Sequence, residues 1–258
     1  TAQAEPGETA YFDIRVKNTG NDVDTVTLTI PTDSRKWGTF AASGTDSHTV
    51  NLTVNQEVTL RVEVDLPVYS TSTGQDKSSL EGDSYSVTVK ATTSDGSMSD
   101  TTSLTTTIMQ IYGASLEVQG DDSVVSYPTA EAKQEKFTLK LKNLGNKQDT
   151  MNIVVSFPDE LDADVYTSSS CAGSPTSSAS IPAGSTRTYY FCVTPYTADN
   201  PGKSDPDPGN YTAYVEASAR SGAEEPVSIN VTFDVRDPRR SLTLKADENE
   251  ITLAPEKG

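Results

Sequence analysis

Residues 12–25 read FDIRVKNTGNDVDT, and residues 137–150 read FTLKLKNLGNKQDT. At an offset of 125, Phe12, Lys17, Asn18, Gly20, Asn21, Asp24 and Thr25 recur as Phe137, Lys142, Asn143, Gly145, Asn146, Asp149 and Thr150. A chain that repeats at this period holds two copies of one folding unit. The identities cover both an alternating stretch and the polar turn after it, so a strand with its turn is what recurs. The rest of the period follows with small slips. Pro31 and Pro158 close the next strand of each copy. EVTLRVEVDLP is matched by STRTYYFCVTP, with the two prolines aligned. A polar loop comes next, then YSVTVKATTSDG against YTAYVEASARSG, and last TTSLTTTI against PVSINVTFDV.

The apolar period is 2 almost throughout, and no helix-length segment carries a period of 3.6. About seven short strands per unit with turn chemistry between them predict an all-β chain. The expected fold is two tandem immunoglobulin-like Greek-key β-sandwiches plus a C-terminal extra strand. A hydrophobic content of 34% suits thin cores with many wetted strand faces. In the recurring Asn-X-Gly-Asn turn, glycine is expected to supply a positive φ and asparagine to bond its own backbone. That role is structural.

The two ends of the chain share a phase. ASLEVQGDDSVVSYPT, residues 114–129, opens the second unit, and the C-terminal SLTLKADENEITLAPEKG matches it, Leu116 with Leu242 and Asp121 with Asp247. The first unit starts late, with TAQAEPGETAYF. Three parts are therefore expected: residues 1–110, a sandwich lacking most of its first strand; residues 111–237, a sandwich with a disulfide; and residues 238–258, the first strand of a following repeat. Two readings of the spare strand compete. It belongs to a further domain of a longer array, or it enters the open sandwich of the next molecule through Leu242, Leu244, Ile251 and Leu253, as a donated strand. Repeated head to tail, the second arrangement yields an open filament.

KNTGNDVDTVTLTIP followed by Lys36-Trp37, then EVTLRVEVDLP and GDSYSVTV, resembles the immunoglobulin-like repeats of microbial cell-surface proteins, of the cell-adhesion-related and α-galactosidase-associated module type common in large archaeal surface proteins. In those repeats a Pro-Gly-Glu turn, an Asn-X-Gly turn, a Pro then Trp, and a late Gly-X-Tyr strand recur. Pro6 to Glu8, Asn18 to Gly20, Pro31 with Trp37, and Gly82 to Tyr85 stand in those places. The second unit departs from the pattern, having AEAKQE for the first turn and no Trp; Val165 or Tyr166 is expected in the Trp core position. The resemblance covers nearly the whole chain and implies a fold more than a function.

A net charge of −17 and a pI of about 4.3 argue against nucleic acid and anionic membrane surfaces as partners. No apolar run approaches the length of a membrane span. Cys171 and Cys192 flank a polar segment with no His nearby to complete a metal site, so a disulfide is expected, with the oxidising compartment it implies. The sequons at Asn51, Asn210 and Asn230 are compatible with export and glycosylation. Both point to the outside of a cell.

Little supports catalysis. His48 is the single histidine, in a polar context without a nucleophile or an orienting acid. The carboxylates are dispersed over turns rather than paired across a cleft. No motif requires a cofactor. Calcium is the one ion the loops suit, through Asn21, Asp22 and Asp24, through Asp121 and Asp122, or through Asp205, Asp207 and Asn210, the alternative being solvated turns. In STRTYYFCVTP, Tyr190 and Cys192 are expected in the core, with Tyr189 and Phe191 outside, either packed under the long loop after Pro195 or a neighbouring domain, or forming an aromatic contact surface. The expected function is an extracellular structural protein, a subunit or segment of a surface filament whose partner is itself or a neighbouring repeat. The alternative is a carbohydrate-binding or adhesion module of a larger surface protein.

Overall fold

An alternating segment buries one face and wets the other, and this chain builds seventeen such strands among its described residues. The computed structural model describes residues 1–34, 37–70, 80–126, 134–195, 207–219 and 224–236. The C-terminal segment with Leu242, Leu244, Ile251 and Leu253 lies outside the described residues, as does Asp205.

The first eight strands are β1 (Ala2–Ala4), β2 (Thr9–Lys17), β3 (Asp24–Thr29), β4 (Gly38–Phe40), β5 (Ser47–Leu52), β6 (Glu57–Asp65), β7 (Ser84–Thr93) and β8 (Ser99–Ile108). They form two sheets, ordered β1-β8-β7-β3-β5 and β2-β6-β4. Leu28, Phe40, Val62 and Val87 meet between them in one core. The remaining nine are β9 (Ala114–Gln119), β10 (Ser123–Ser126), β11 (Glu135–Asn143), β12 (Asp149–Ser156), β13 (Leu161–Tyr166), β14 (Ser178–Ile181), β15 (Thr186–Pro195), β16 (Gly209–Ala219) and β17 (Val227–Val235). Their sheets run β10-β17-β16-β12-β14 and β13-β15-β11-β9. A separate core collects Leu139, Leu141, Ile153, Phe191, Val215 and Phe233. Both units are Ig-like sandwiches with strands passing from sheet to sheet.

The strand ladders give the true correspondence between the units. Phe12 pairs Val62 as Phe137 pairs Phe191; Gly38 pairs Val64 as Ala163 pairs Val193. Val62 therefore matches Phe191, one residue away from the match that aligned prolines suggest. A slip of one residue exchanges the two faces of a strand. The expectation for β15 is corrected accordingly. Tyr189 and Phe191 point into the core, 2% and 0% exposed. Tyr190 and Cys192 lie on the outer face, beneath the disulfide loop, where Lys136 sits over the Tyr190 ring at 5.6 Å and donates to the Ser169 carbonyl at 2.9 Å. Val165 takes the place of Phe40, and the position matching Trp37 falls at the exposed Asp162. Trp37 itself packs edge-on against Tyr85, with ring centroids 5.0 Å apart.

The two Asn-X-Gly-Asn turns are built alike. The Asn18 carboxamide donates to the carbonyls of Asp22 and Leu52 at 2.8 and 3.0 Å and accepts from the Gly20 N–H at 2.9 Å. Asn143 does the same with Lys147, Ile181 and Gly145 at 2.8, 2.9 and 2.8 Å. The asparagine thus bonds its backbone two residues on, as expected. The expected positive φ is absent, since neither Gly20 nor Gly145 is in the left-handed region. At Gly145 a different constraint acts: a Cβ there would lie 2.6 Å from the Ile111 carbonyl.

That close approach belongs to the joint between the units. Residues 109–113 cross from β8 to β9 over this turn. Asn146 donates to the Met109 carbonyl and accepts from the Ile111 N–H, both at 2.9 Å, and the Leu144 N–H bonds the Gly113 carbonyl at 2.9 Å. Glu81 of the first unit adds a backbone bond to Asn146 at 3.2 Å and an ion pair to Lys147 at 3.3 Å.

Candidate strand-acceptor groove

In the second sandwich, β9 closes one sheet by pairing antiparallel with β11: Leu141 faces Leu116 and Leu139 faces Val118. Then the chain changes sheets, and β10 pairs parallel with β17, Val124 facing Phe233. In the first sandwich β1 pairs parallel with β8, Ala2 facing Thr106. Because Tyr85 pairs Thr106 as Tyr211 pairs Phe233, β1 stands where β10 stands. No described strand stands where β9 does, and β2 is the edge of its sheet.

That empty place is a groove of about 880 Å³. Its floor is Ile14, Val16, Leu28, Val89 and Ala91. By ladder register these match Leu139, Leu141, Ile153, Val215 and Ala217, the residues around Leu116. With Leu116 in place, the space in the second sandwich has no room for a water molecule. Along β2 burial follows the same contrast: Leu141 is 0% and Leu139 1% exposed, whereas Ile14 is 9% exposed and Val16 half-buried; Leu28 and Val89, deeper in the floor, are as buried as Ile153 and Val215. The β2 edge also presents one row of backbone N–H and C=O groups that β6 does not use, the usual template for adding a strand. Its outer face carries Tyr11, Asp13, Arg15 and Lys17, and Asp13 holds a two-point ion pair with Arg61 at 2.9 and 3.2 Å. That guanidinium keeps the Asp13 carboxyl below the usual carboxylate range.

The rim of the groove is acidic, with Asp22, Asp24, Asp95 and Asp100. Asp22 accepts from the Val23 N–H at 2.8 Å, and Asp24 from the Ser94 hydroxyl at 2.8 Å. Among the described residues no three His, Cys, Asp or Glu side chains gather as a metal set. Asp207 is distant from the groove in sequence and fold, its carbonyl accepting from the Tyr211 hydroxyl at 2.8 Å. The structure therefore does not bring Asp22 and Asp24 together with Asp207. Asp95 is gripped by the Ser97 N–H and hydroxyl and by the Thr93 hydroxyl, which lower its pKa to about 2.

The remaining sequence candidates fall elsewhere. Cys171 and Cys192 form the expected disulfide, with Cα atoms 6.0 Å apart. Asn51, Asn210 and Asn230 are exposed on β5, β16 and β17. His48 sits on β5 with its ring centroid 5.9 Å from that of Phe40. The aromatic contact surface imagined at Tyr189 and Phe191 does not exist, because both are core residues. No helix among the described residues is long and apolar enough to cross a membrane. The groove floor was not legible in the sequence, because it is assembled from three strands, β2, β3 and β7.

No protein-family model matches the sequence, and no curated protein matches it. Among solved structures, the chain is similar to a family 123 glycoside hydrolase from Clostridium perfringens, at 9% identity and a TM-score of 0.33, over 50% of this chain and 28% of that one. It is similar to Salmonella alpha-2-macroglobulin at 10% identity and a TM-score of 0.34, over 92% of this chain and 16% of that one. Fibronectin(III)-like modules of Clostridium thermocellum CbhA match at 14% identity and a TM-score of 0.27, over 95% and 94% of the two chains. The chain thus spans a minor part of the first two proteins.

Proposed function

We propose that this chain is a non-catalytic, extracellular structural protein that joins end to end by strand addition. The groove beside β2 receives residues 241–246 of a second copy. The single observation that carries this reading is the groove itself: it occupies the place that β9 fills in the second sandwich, and SLTLK at 241–245 repeats SLEVQ at 115–119 of β9. The match sets the register. Leu242 lies opposite Val16 and Leu244 opposite Ile14, both side chains inward, and Lys245 lies opposite Asp13. An added strand satisfies the open β2 edge and removes apolar floor from water, which together drive association. Acceptor and donor are different surfaces, so the contact is heterologous and propagates as a fibre. The disulfide suits an oxidising exterior.

Only half of the C-terminal segment meets an empty place. Residues 250–255, with Ile251 and Leu253, match β10, and β1 already holds that position beside β8.

The test is assembly of the purified chain, followed by sedimentation and electron microscopy, with and without residues 241–258. Polymers from the full chain and monomers from the truncated one are expected. Polymers that persist after truncation would remove the reading; so would a full chain that stays monomeric at all concentrations.

A further inference from the structure

The turn at residues 18–21 carries two residues with no local work. Asn21 is exposed and makes no hydrogen bond among the described residues, and Gly20 has neither a left-handed φ nor a neighbour beyond Asn18 pressing on it. Their counterparts are fully engaged. Asn146 is 1% exposed and brackets the backbone of residues 109–113, and Gly145 lacks a side chain so that the Ile111 carbonyl can pass. That bracketed segment is the one that leads into β9.

We infer that residues 18–21 form a second docking point, in which the Asn21 carboxamide brackets the backbone of residues 235–239 of the incoming copy just ahead of its donated strand. The inference rests on the strand-addition reading and adds to it. With Leu242 in the place of Leu116, Val235 falls where Met109 offers its carbonyl to Asn146, Asp237 where Ile111 gives its N–H, and Pro238 at Tyr112, whose N–H Asn146 does not use. Gly20 leaves the same passage open that Gly145 leaves. Charge fits as well. Where the second sandwich has Lys147 facing Glu81, the first has Asp22 on an acidic rim, and the incoming segment RDPRR brings Arg239 and Arg240. The docking point would fix the angle between successive subunits as Asn146 ties the linker to its turn within one chain.

The test uses two labelled synthetic peptides, residues 235–258 and residues 241–258. The acceptor is the full chain carrying Leu242→Asp and Leu244→Asp, which keep its own segment out of the groove. Fluorescence polarisation reads affinity. Two extra hydrogen bonds predict that the longer peptide binds about tenfold tighter. Asn21→Ala in the acceptor should erase that advantage while leaving the shorter peptide unaffected, since Asn21 is exposed and holds nothing in its own sandwich. Equal binding of both peptides overturns the bracket and leaves strand addition standing. A longer-peptide advantage that survives Asn21→Ala overturns the role of Asn21. Binding of neither peptide overturns strand addition, and the bracket with it.

Discussion

Leu116 stands directly opposite Leu141 in the β9–β11 ladder, whereas Val16, which holds the place of Leu141 in the first sandwich, has Val58 on one side and no described strand on the other. The two sandwiches thus show the same strand position filled in one and open in the other. Where β9 is present the space around Leu116 has no room for water; in the first sandwich the matching space is open, Val16 and Ala91 are only partly buried, and the β2 edge is unpaired.

The two halves of the C-terminal segment should differ sharply on mutation. Leu242→Asp or Leu244→Asp places a carboxylate against Ile14 and Val16 and should abolish assembly, because an unpaired charge in an apolar site costs far more than the lost leucine contributes. Ile251→Asp and Leu253→Asp should leave most assembly intact, since β1 already occupies their counterpart position. Sedimentation velocity on the four variants checks this. Equal loss from all four would mean that β1 is displaced by the incoming chain.

Opening the filled joint should resemble the first sandwich. Leu116→Ala removes a partly buried side chain from the space between Leu139, Ile153 and Val215. Its expected cost is about 2 kcal/mol, at the low end for leucine because Leu116 is not fully enclosed. Denaturant unfolding should show the change in the second sandwich alone, with the first unaffected.

The parts that could be read from the sequence and the part that could not divide on one physical ground. Strands, turns and the disulfide are local: Phe12 to Thr25 and Phe137 to Thr150 announce themselves by alternation and by Asn-X-Gly-Asn. The faces of β15 are not local. Aligning Pro67 with Pro195 moves the strand by one residue, and Tyr189 and Phe191 then read as exposed. Three large apolar residues in one phase, Tyr189, Phe191 and Val193, outweigh Cys192 and Tyr190 in the other, and that count was the available signal. The glycine at 145 is set by the Ile111 carbonyl, 34 residues earlier in the chain, so no turn rule could explain it. The groove has the same character, since its floor draws on β2, β3 and β7.

The disulfide should stabilise the second sandwich without affecting assembly. Cys192 lies on the outer face of β15, and Cys171 closes a polar loop over that face at a separation of 21 residues. Replacing both by Ser should cost about 3 kcal/mol by freeing the unfolded chain. The groove lies in the other sandwich, so polymers should still form from folded protein at low temperature. A denaturant midpoint lowered for the second sandwich, with unchanged fibres by microscopy, is the expected pair of results.

Acid should loosen the rim of the groove at Asp95. Its folded pKa of about 2 is below the ordinary 3.8, so its bonds to Ser97 and Thr93 stabilise the folded turn above about pH 4. That contribution is lost as pH falls toward 2, when the carboxylate takes a proton. A carbon-13 titration of the Asp95 carboxyl should show the depressed midpoint, and Ser97→Ala should move it back upward. A midpoint near 4 in the intact chain would show that the turn does not hold the carboxylate as described.

The register of the joint is the sharpest prediction, because a strand can add in several offsets and only one matches β9. Lys140 pairs Glu117 across the filled ladder, and the same counting pairs Arg15 with Thr243. Both side chains then point away from the core, with Cβ atoms about 5 Å apart. Arg15→Cys mixed with Thr243→Cys should therefore cross-link between chains through a short thiol reagent. Tyr11→Cys, four residues along the same face and about 13 Å away, should not. Cross-linking at Tyr11 instead of Arg15 would mean a slipped strand, with different side chains presented to Ile14 and Val16. A single chain carrying both Arg15→Cys and Thr243→Cys should give a ladder of cross-linked multimers on a denaturing gel. A cross-linked monomer from that chain would mean that the segment folds back into its own groove, which would replace the fibre by a closed subunit.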